Sequence, residues 1–194
     1  MAARSDGTEP QIQSGDVYLR APERDDIPLF VAWMNDWRTS RTLALRAPIS
    51  LPMEEGWFDG MIANQGKDGY LFVSCLFADD RAVGNAGLFD LDLVNGTAGL
   101  GIMVGRAEDR GRGFGTDALR ALVGFGFDQL RLERIWLDVY ATNAGARRIY
   151  ERVGFVHEGT LRRAVFREGR HVDVDRMAVL ADAWRATLVA PTRQ

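Results

Sequence analysis

The spacing of apolar positions changes several times along the chain, and each change marks an element. Residues 1–15 are polar and unpatterned and predict a flexible lead-in. Val17-Tyr18-Leu19-Arg20 predicts a short strand, which Pro22 stops. Asp25-Asp26, followed by Pro28, starts a helix that runs to about residue 35. Residues 36–51 have no period and are basic. Pro52, Glu54 and Glu55 occupy first-turn positions of a second helix over 52–64. Its apolar residues Trp57, Phe58, Met61 and Ile62 recur at helical spacing.

The period then shortens. Tyr70–Phe77, Ala82–Leu91 and Ala98–Val104 predict three strands, with turns at Asp79-Asp80 and Asn95-Gly96. Such short connections make an antiparallel meander. Gly113–Leu130 carries the clearest helical face, formed by Leu119, Leu122, Val123, Phe127 and Leu130. Gly124 and Gly126 inside it each cost about 1 kcal/mol against alanine, which points to close packing on a sheet. A strand at Ile135–Tyr140, a helix at Asn143–Val153 and a strand from Gly154-Phe155 follow. A turn at Arg167-Glu168-Gly169-Arg170, a strand at His171–Leu180 and a helix over 181–188 complete the order. A strand–helix–strand unit after a meander implies a mixed, mostly antiparallel sheet with helices on both faces. The fold class is α/β (α+β), as one domain over 16–190.

Composition narrows the function. Hydrophobic residues make up 46% and charged residues 26%, enough apolar material for a core. The balance of 24 basic against 27 acidic residues argues against nucleic acid held on a broad basic surface. One cysteine, Cys75, excludes an intrachain disulfide, and with only His157 and His171 beside it no metal site is expected. Cys75 reads as core filler. The N-terminus has no signal-peptide pattern and no run is long enough to cross a membrane, so a cytoplasmic protein is expected.

Glycine is concentrated. Eleven of the 21 glycines lie between Gly84 and Gly126. Gly111, Gly113 and Gly115 sit where a loop enters the long helix. Without side chains there, successive N–H groups can converge on one anion, and the helix N-terminus adds positive potential. Arg106, Arg110 and Arg112 add charge, so phosphate is the natural ligand. Gly-Lys-Ser/Thr is absent, which excludes a Walker A loop. Gly113-Phe114-Gly115-Thr116-Asp117-Ala118 matches a dinucleotide fingerprint, but the preceding strands are antiparallel and end about eight residues earlier.

Arg110-Gly111-Arg112-Gly113-Phe114-Gly115 resembles the pyrophosphate loop, Gln/Arg-x-x-Gly-x-Gly/Ala, of the GNAT superfamily of N-acetyltransferases. Asn143 to Phe155 resembles the N-x-x-A-x-x-x-Y-x-x-x-G-F block of its ribosomal-protein N-terminal acetyltransferase (RimJ/RimL-like) branch. The resemblance covers residues 16–182 and implies a central splayed strand pair. It implies acetyl-CoA as co-substrate, with Ile102, Met103 and Val104 along the pantetheine arm. Arg110, Gly111, Arg112, Gly113, Phe114, Gly115 and Thr116 would hold the pyrophosphate, and Asn143 would contact the pantetheine. Tyr150, two helical turns beyond Asn143, would protonate the departing thiolate. Asn143 also fits a helix N-cap, and Tyr150 also fits a core aromatic.

The acceptor implied is a primary amine, either a protein N-terminus or a small molecule such as a polyamine or antibiotic. A homodimer is frequent in such proteins. The base is less defined. The family often carries Ala-Glu-Leu-Gly-Ile on the third meander strand, whereas Ala98-Gly99-Leu100-Gly101-Ile102 stands here. Asp92 ranks first as the substitute, before Asp90, Asp138 and Glu158, and deprotonation through water is the alternative. The missing glutamate also leaves open a CoA-binding regulatory module without catalysis. Trp33, Trp37 and Trp57 divide equally between acceptor wall and core.

Overall fold

The computed structural model describes residues 9–189. All strands join one eight-stranded sheet in the order β1-β2-β3-β4-β5-β6-β8-β7. They are β1 (Ile12–Ser14), β2 (Val17–Arg20), β3 (Tyr70–Leu76), β4 (Ala82–Asp92), β5 (Thr97–Val104), β6 (Arg134–Tyr140), β7 (Val156–Arg167) and β8 (Arg170–Leu180). The helices are α1 (Ile27–Asn35), α2 (Trp37–Ser40), α3 (Leu51–Asn64), α4 (Phe114–Asp128), α5 (Ala144–Val153) and α6 (Ala181–Val189). Every neighbouring strand pair is antiparallel except β5 and β6, which the crossover through α4 makes parallel.

Two apolar clusters cover the two faces of the sheet. On one, Leu119, Leu122, Val123 and Phe127 of α4 join Leu88, Ala98, Leu100, Ile135 and Leu137, with Val153 of α5 and Trp184 of α6. On the other, Phe30 and Trp33 of α1 join Tyr18, Val73, Cys75 and Met103. The alternation of strand side chains sends successive residues to opposite clusters. Gly126 is a contact requirement: a Cβ there would come within 2.7 Å of Ile135 Cδ1. Burial pushes the Cys75 thiol above its ordinary range, as suits a packed side chain.

The departures from the sequence expectations have local causes. Ile12–Ser14 is not a loose lead-in but a strand on β2, turned by Gly15 at φ +56°. Residues 1–8 of that expected segment, and residue 190 of the expected domain, lie outside the described residues. The stretch over 36–51 contains α2, whose first turn Asp36 caps by accepting the Arg38 N–H at 2.9 Å. On α3, Phe58 is buried while Trp57 and Ile62 stay exposed, so its apolar periodicity overstates its buried face.

Candidate functional site

The sheet opens between β5 and β6. Their parallel pairing holds only from Thr97↔Arg134 to Gly99↔Trp136. Beyond it, Leu100–Val104 keeps β4 as a partner on one edge, and Leu137–Tyr140 keeps β8. The facing edges of the two strands have no ladder. Ile102, Met103 and Val104 lie along this open edge, and a gap between two unpaired backbone edges suits an extended chain carrying amides.

The glycine loop stands at the wide end of the gap. Gly111 and Gly113 have φ of +74° and +95°, and nothing lies within 4 Å of where their Cβ atoms would be. Glycine is needed there for the left-handed backbone and not for packing. Thr116 and Asp117 already bond through their N–H groups to the Gly113 carbonyl. Among the described residues, the N–H groups of Gly111, Arg112, Gly113, Phe114 and Gly115 take no backbone acceptor. Five successive donors without a backbone acceptor at the start of a 15-residue helix are a candidate anion cradle. Gly115 has a separate reason: its Cβ would sit 3.3 Å from Val104, so it lets α4 close on the end of β5.

A buried ion pair anchors the loop from behind. Asp109, 1% exposed, accepts two hydrogen bonds from Arg81 at 2.7 and 2.9 Å. The Arg81 guanidinium holds the Asp109 carboxyl below the usual carboxylate range, against the opposing effect of burial. Arg112 lies 4.0 Å from the same carboxylate and 4.9 Å above the Phe114 ring, so it remains beside the cradle. Arg110 points elsewhere. Its guanidinium donates to the Arg38 carbonyl at 2.8 Å and to Thr39 Oγ1 at 2.5 Å, and so ties the loop to α2. Thr39, almost fully buried, donates in turn to the Gly105 carbonyl at 2.8 Å.

Asn143 caps α5, accepting the Ala146 N–H at 3.2 Å, at the mouth of the gap. Tyr150 lies two turns along, partly buried against the main core and 5.9 Å from the Phe155 ring centre. Its hydroxyl has no hydrogen-bond partner among the described residues. Burial pushes it up to about 12, so the phenol keeps its proton at neutral pH. Arg147 steadies this helix by donating to Asp175 on β8 at 3.1 Å and to Glu151 at 2.9 Å.

The acids are placed differently. Asp92 lies at the closed end, beside the Thr97↔Arg134 pair, away from Asn143 and the glycine loop. It accepts N–H bonds from Val94 and Asn95, and the Asn95 side chain at 2.6 Å. Hydrogen bonds from Asn95 hold its carboxyl below the ordinary range. Glu158 pairs with Arg134, also at the closed end. Asp90 sits exposed in a bulge at φ +48°. Asp138 is the one of these acids that lies along the open part of β6, where Arg176 binds both its oxygens at 2.8 Å. A side chain at position 99 would require the Phe89 ring, which stacks edge-on with Trp136, to move, because a Cβ there would fall 2.3 Å from it.

A cavity of about 320 Å³ opens at the same mouth, lined by Arg38, Arg41, Arg110, Tyr140, Asn143, Arg167 and Arg170 among others. Tyr140 was not singled out by the sequence, because a tyrosine ending a strand carries no motif. Its hydroxyl donates to the Leu43 carbonyl at 3.0 Å and accepts from Arg167 at 3.2 Å, joining three segments. The tryptophans separate: Trp33 is buried flat against Gly105, where a Cβ would come 2.2 Å from its ring, while Trp37 and Trp57 are exposed.

Comparison with known proteins agrees with this geometry. Residues 16–156 match the family model described as acetyltransferase (GNAT) domain. The chain is 30% identical over 155 residues to the SPbeta prophage-derived uncharacterized N-acetyltransferase YokL of Bacillus subtilis, covering 80% of this chain and 84% of that one. It is 32% identical over 163 residues to the spermidine N(1)-acetyltransferase of Vibrio cholerae, covering 84% and 91%. A crystal structure of spermidine N-acetyltransferase from Vibrio cholerae, in complex with CoA and spermine, superimposes with a TM-score of 0.82 at 26% identity, covering 88% and 98%. With a family model spanning most of the sheet, the open strand pair and the glycine-headed helix, the chain belongs to the GNAT acetyltransferases.

Proposed function

We propose that this protein transfers the acetyl group of acetyl-CoA to a primary amine by direct attack, with both substrates bound together. The observation that carries the reading is the anion cradle of five free N–H groups at the wide end of an unpaired strand gap. Phosphate at the cradle and an amide-bearing arm along Ile102–Val104 use the two backbone features the fold leaves open. An N–H on the open edge of β5 would polarise the thioester carbonyl.

Tyr150 is the leaving-group residue. A phenol pushed up to about 12 stands well above a thiol at about 8.5. The hydroxyl therefore stabilises the departing thiolate by donating a hydrogen bond more readily than by giving up its proton. Asn143 fixes the start of α5 and with it the direction of Tyr150. Among the described residues, the two leading candidate carboxylates are engaged: Asp92 serves its turn and Asp138 is held by Arg176, while the Phe89 ring lies over Gly99. Water carries the amine proton away, and the rate comes mainly from placement of the two substrates.

Thiol release from acetyl-CoA, measured with a panel of primary amines, tests the proposal. Acetyl-CoA binding with no release for any amine would instead favour a regulatory module. The resemblance to a spermidine acetyltransferase supports a small amine over a protein N-terminus as the first class to examine.

A further inference from the structure

The cavity at the mouth of the gap has a chemistry that the cradle does not explain. It lies on the α1–α2 side of the sheet. Ile135, Leu137 and Val139 of β6 face the α4 cluster, so Tyr140, next in alternation, faces the other side, where α2 and the β7–β8 turn enclose it. The N–H groups from Gly111 to Gly115 stand at the head of α4, whose side chains pack on the other face, and the cavity meets that loop through Arg110 and the α5 cap through Asn143.

Its walls hold five arginines and one glutamate, in a chain that is acidic overall. Three arginines are occupied. Arg110 ties to α2, Arg167 bonds Leu43 and Tyr140, and Arg41 faces Glu168 at 3.8 Å. Hydrogen bonds to carbonyls and hydroxyls leave the charges of Arg110 and Arg167 uncompensated. Arg38 and Arg170 have neither a carboxylate nor a side-chain hydrogen-bond partner among the described residues. One comes from α2 and the other from the start of β8, on two walls of the same cavity. Guanidinium groups so placed suit the planar or tetrahedral oxygens of carboxylate or phosphate. A polycation would meet like charge there.

We propose that the acceptor is an amine carrying an anionic group, carboxylate or phosphate, which Arg38 and Arg170 hold while the amine reaches into the gap. This rests on the acetyl-transfer reading above and deepens it. It also sets this chain apart from its spermidine-acetylating relatives in the charge of the acceptor.

Matched acceptors test it in the thiol-release assay. O-phosphoethanolamine is compared with ethanolamine, and an acidic peptide with the same peptide carrying Asn and Gln in place of Asp and Glu. Spermidine is the cationic arm. The anionic member of at least one pair should show kcat/KM about tenfold above its neutral partner, with the ratio shrinking at 0.5 M salt. The pair that responds identifies phosphate or carboxylate. Arg38→Gln and Arg170→Gln should each raise the KM for that acceptor about tenfold, while the KM for acetyl-CoA and the melting temperature stay unchanged. Both arginines are exposed, so neither change threatens the fold. Release confined to neutral amines or spermidine overturns this proposal and leaves acetyl transfer standing. So does a rise in the acetyl-CoA KM alone, which would assign the arginines to the co-substrate. Absence of release with every amine defeats the acetyl-transfer reading, and this proposal with it.

Discussion

The two sides of the strand gap are built from different materials. The proposed cofactor side uses backbone: N–H groups from Gly111 to Gly115 without a backbone acceptor, an unpaired edge of β5, and a helix end. The proposed acceptor side uses long side chains brought from α2, the end of β6 and the β7–β8 hairpin. Backbone recognition constrains the residues that permit it, above all glycine, and so leaves a contiguous signature. Side-chain recognition scatters its determinants from residue 38 to residue 170, and each arginine alone resembles any surface arginine.

Substitutions can break or sharpen this contrast. The largest effect on stability should come from Asp109→Ala, which removes the buried partner of Arg81 behind the cofactor loop. A loss of about 2 kcal/mol is expected, below the usual range for a buried pair because Arg81 is 34% exposed to screening water. Thermal melting and acetyl-CoA affinity should fall together; loss of affinity without loss of stability would show that the pair shapes only the loop. Acid should reproduce the effect. The folded carboxyl sits below its unfolded value, so its contribution is complete above about pH 4 and disappears as pH falls through the folded pKa. The carboxyls of Asp26, Asp92 and Asp175 are lowered as well, so both chains should lose melting temperature in acid; a shallower fall below about pH 4 in Asp109→Ala than in the parent chain would assign the difference to this residue.

Gly113→Val asks whether the backbone carries cofactor recognition. A β-branched residue at φ +95° costs about 1–2 kcal/mol and re-aims the N–H groups, so acetyl-CoA should bind about 10–30-fold more weakly. The KM of the acceptor should stay within twofold, because the acceptor side takes no N–H group from this loop. Equal weakening of both substrates would erase the distinction between the two sides.

Tyr150→Phe lies at the junction. Turnover should drop about tenfold, the loss of one hydrogen bond to developing charge, with acetyl-CoA affinity unchanged. Parental turnover would return Tyr150 to a packing role beside Phe155. The smallest effect is expected for Asp92→Asn. The amide oxygen can still accept from the turn, so kcat should change less than twofold at any pH. A flattened pH–rate profile in that variant would restore Asp92 as the base.

Much of the fold was legible because local rules agreed with the tertiary result. The meander turns, the apolar face of α4 and the Asn143 cap each follow from neighbours in sequence. The position of Asp92 was not legible, for the converse reason. Sequence distance placed it near the reactive strand, but the ladder puts the hairpin at the closed end, and Asn95 claims its oxygens. Arg110 belongs to the phosphate motif by position, yet Arg38 and Thr39 draw its guanidinium towards α2. Neither partner is visible without the packing of α2 on the end of β5.

The sequence by itself determined where backbone must be exposed. Left-handed φ values and close approaches restrict residue choice locally, so Gly111, Gly113 and Gly126 announce themselves. Tertiary structure alone decided which charges meet. The Phe89 ring lies over Gly99, and the arginines at 38, 41, 110, 167 and 170, far apart in sequence, gather around one cavity. Electrostatic environment is set by separation in space, and only the folded chain supplies those distances.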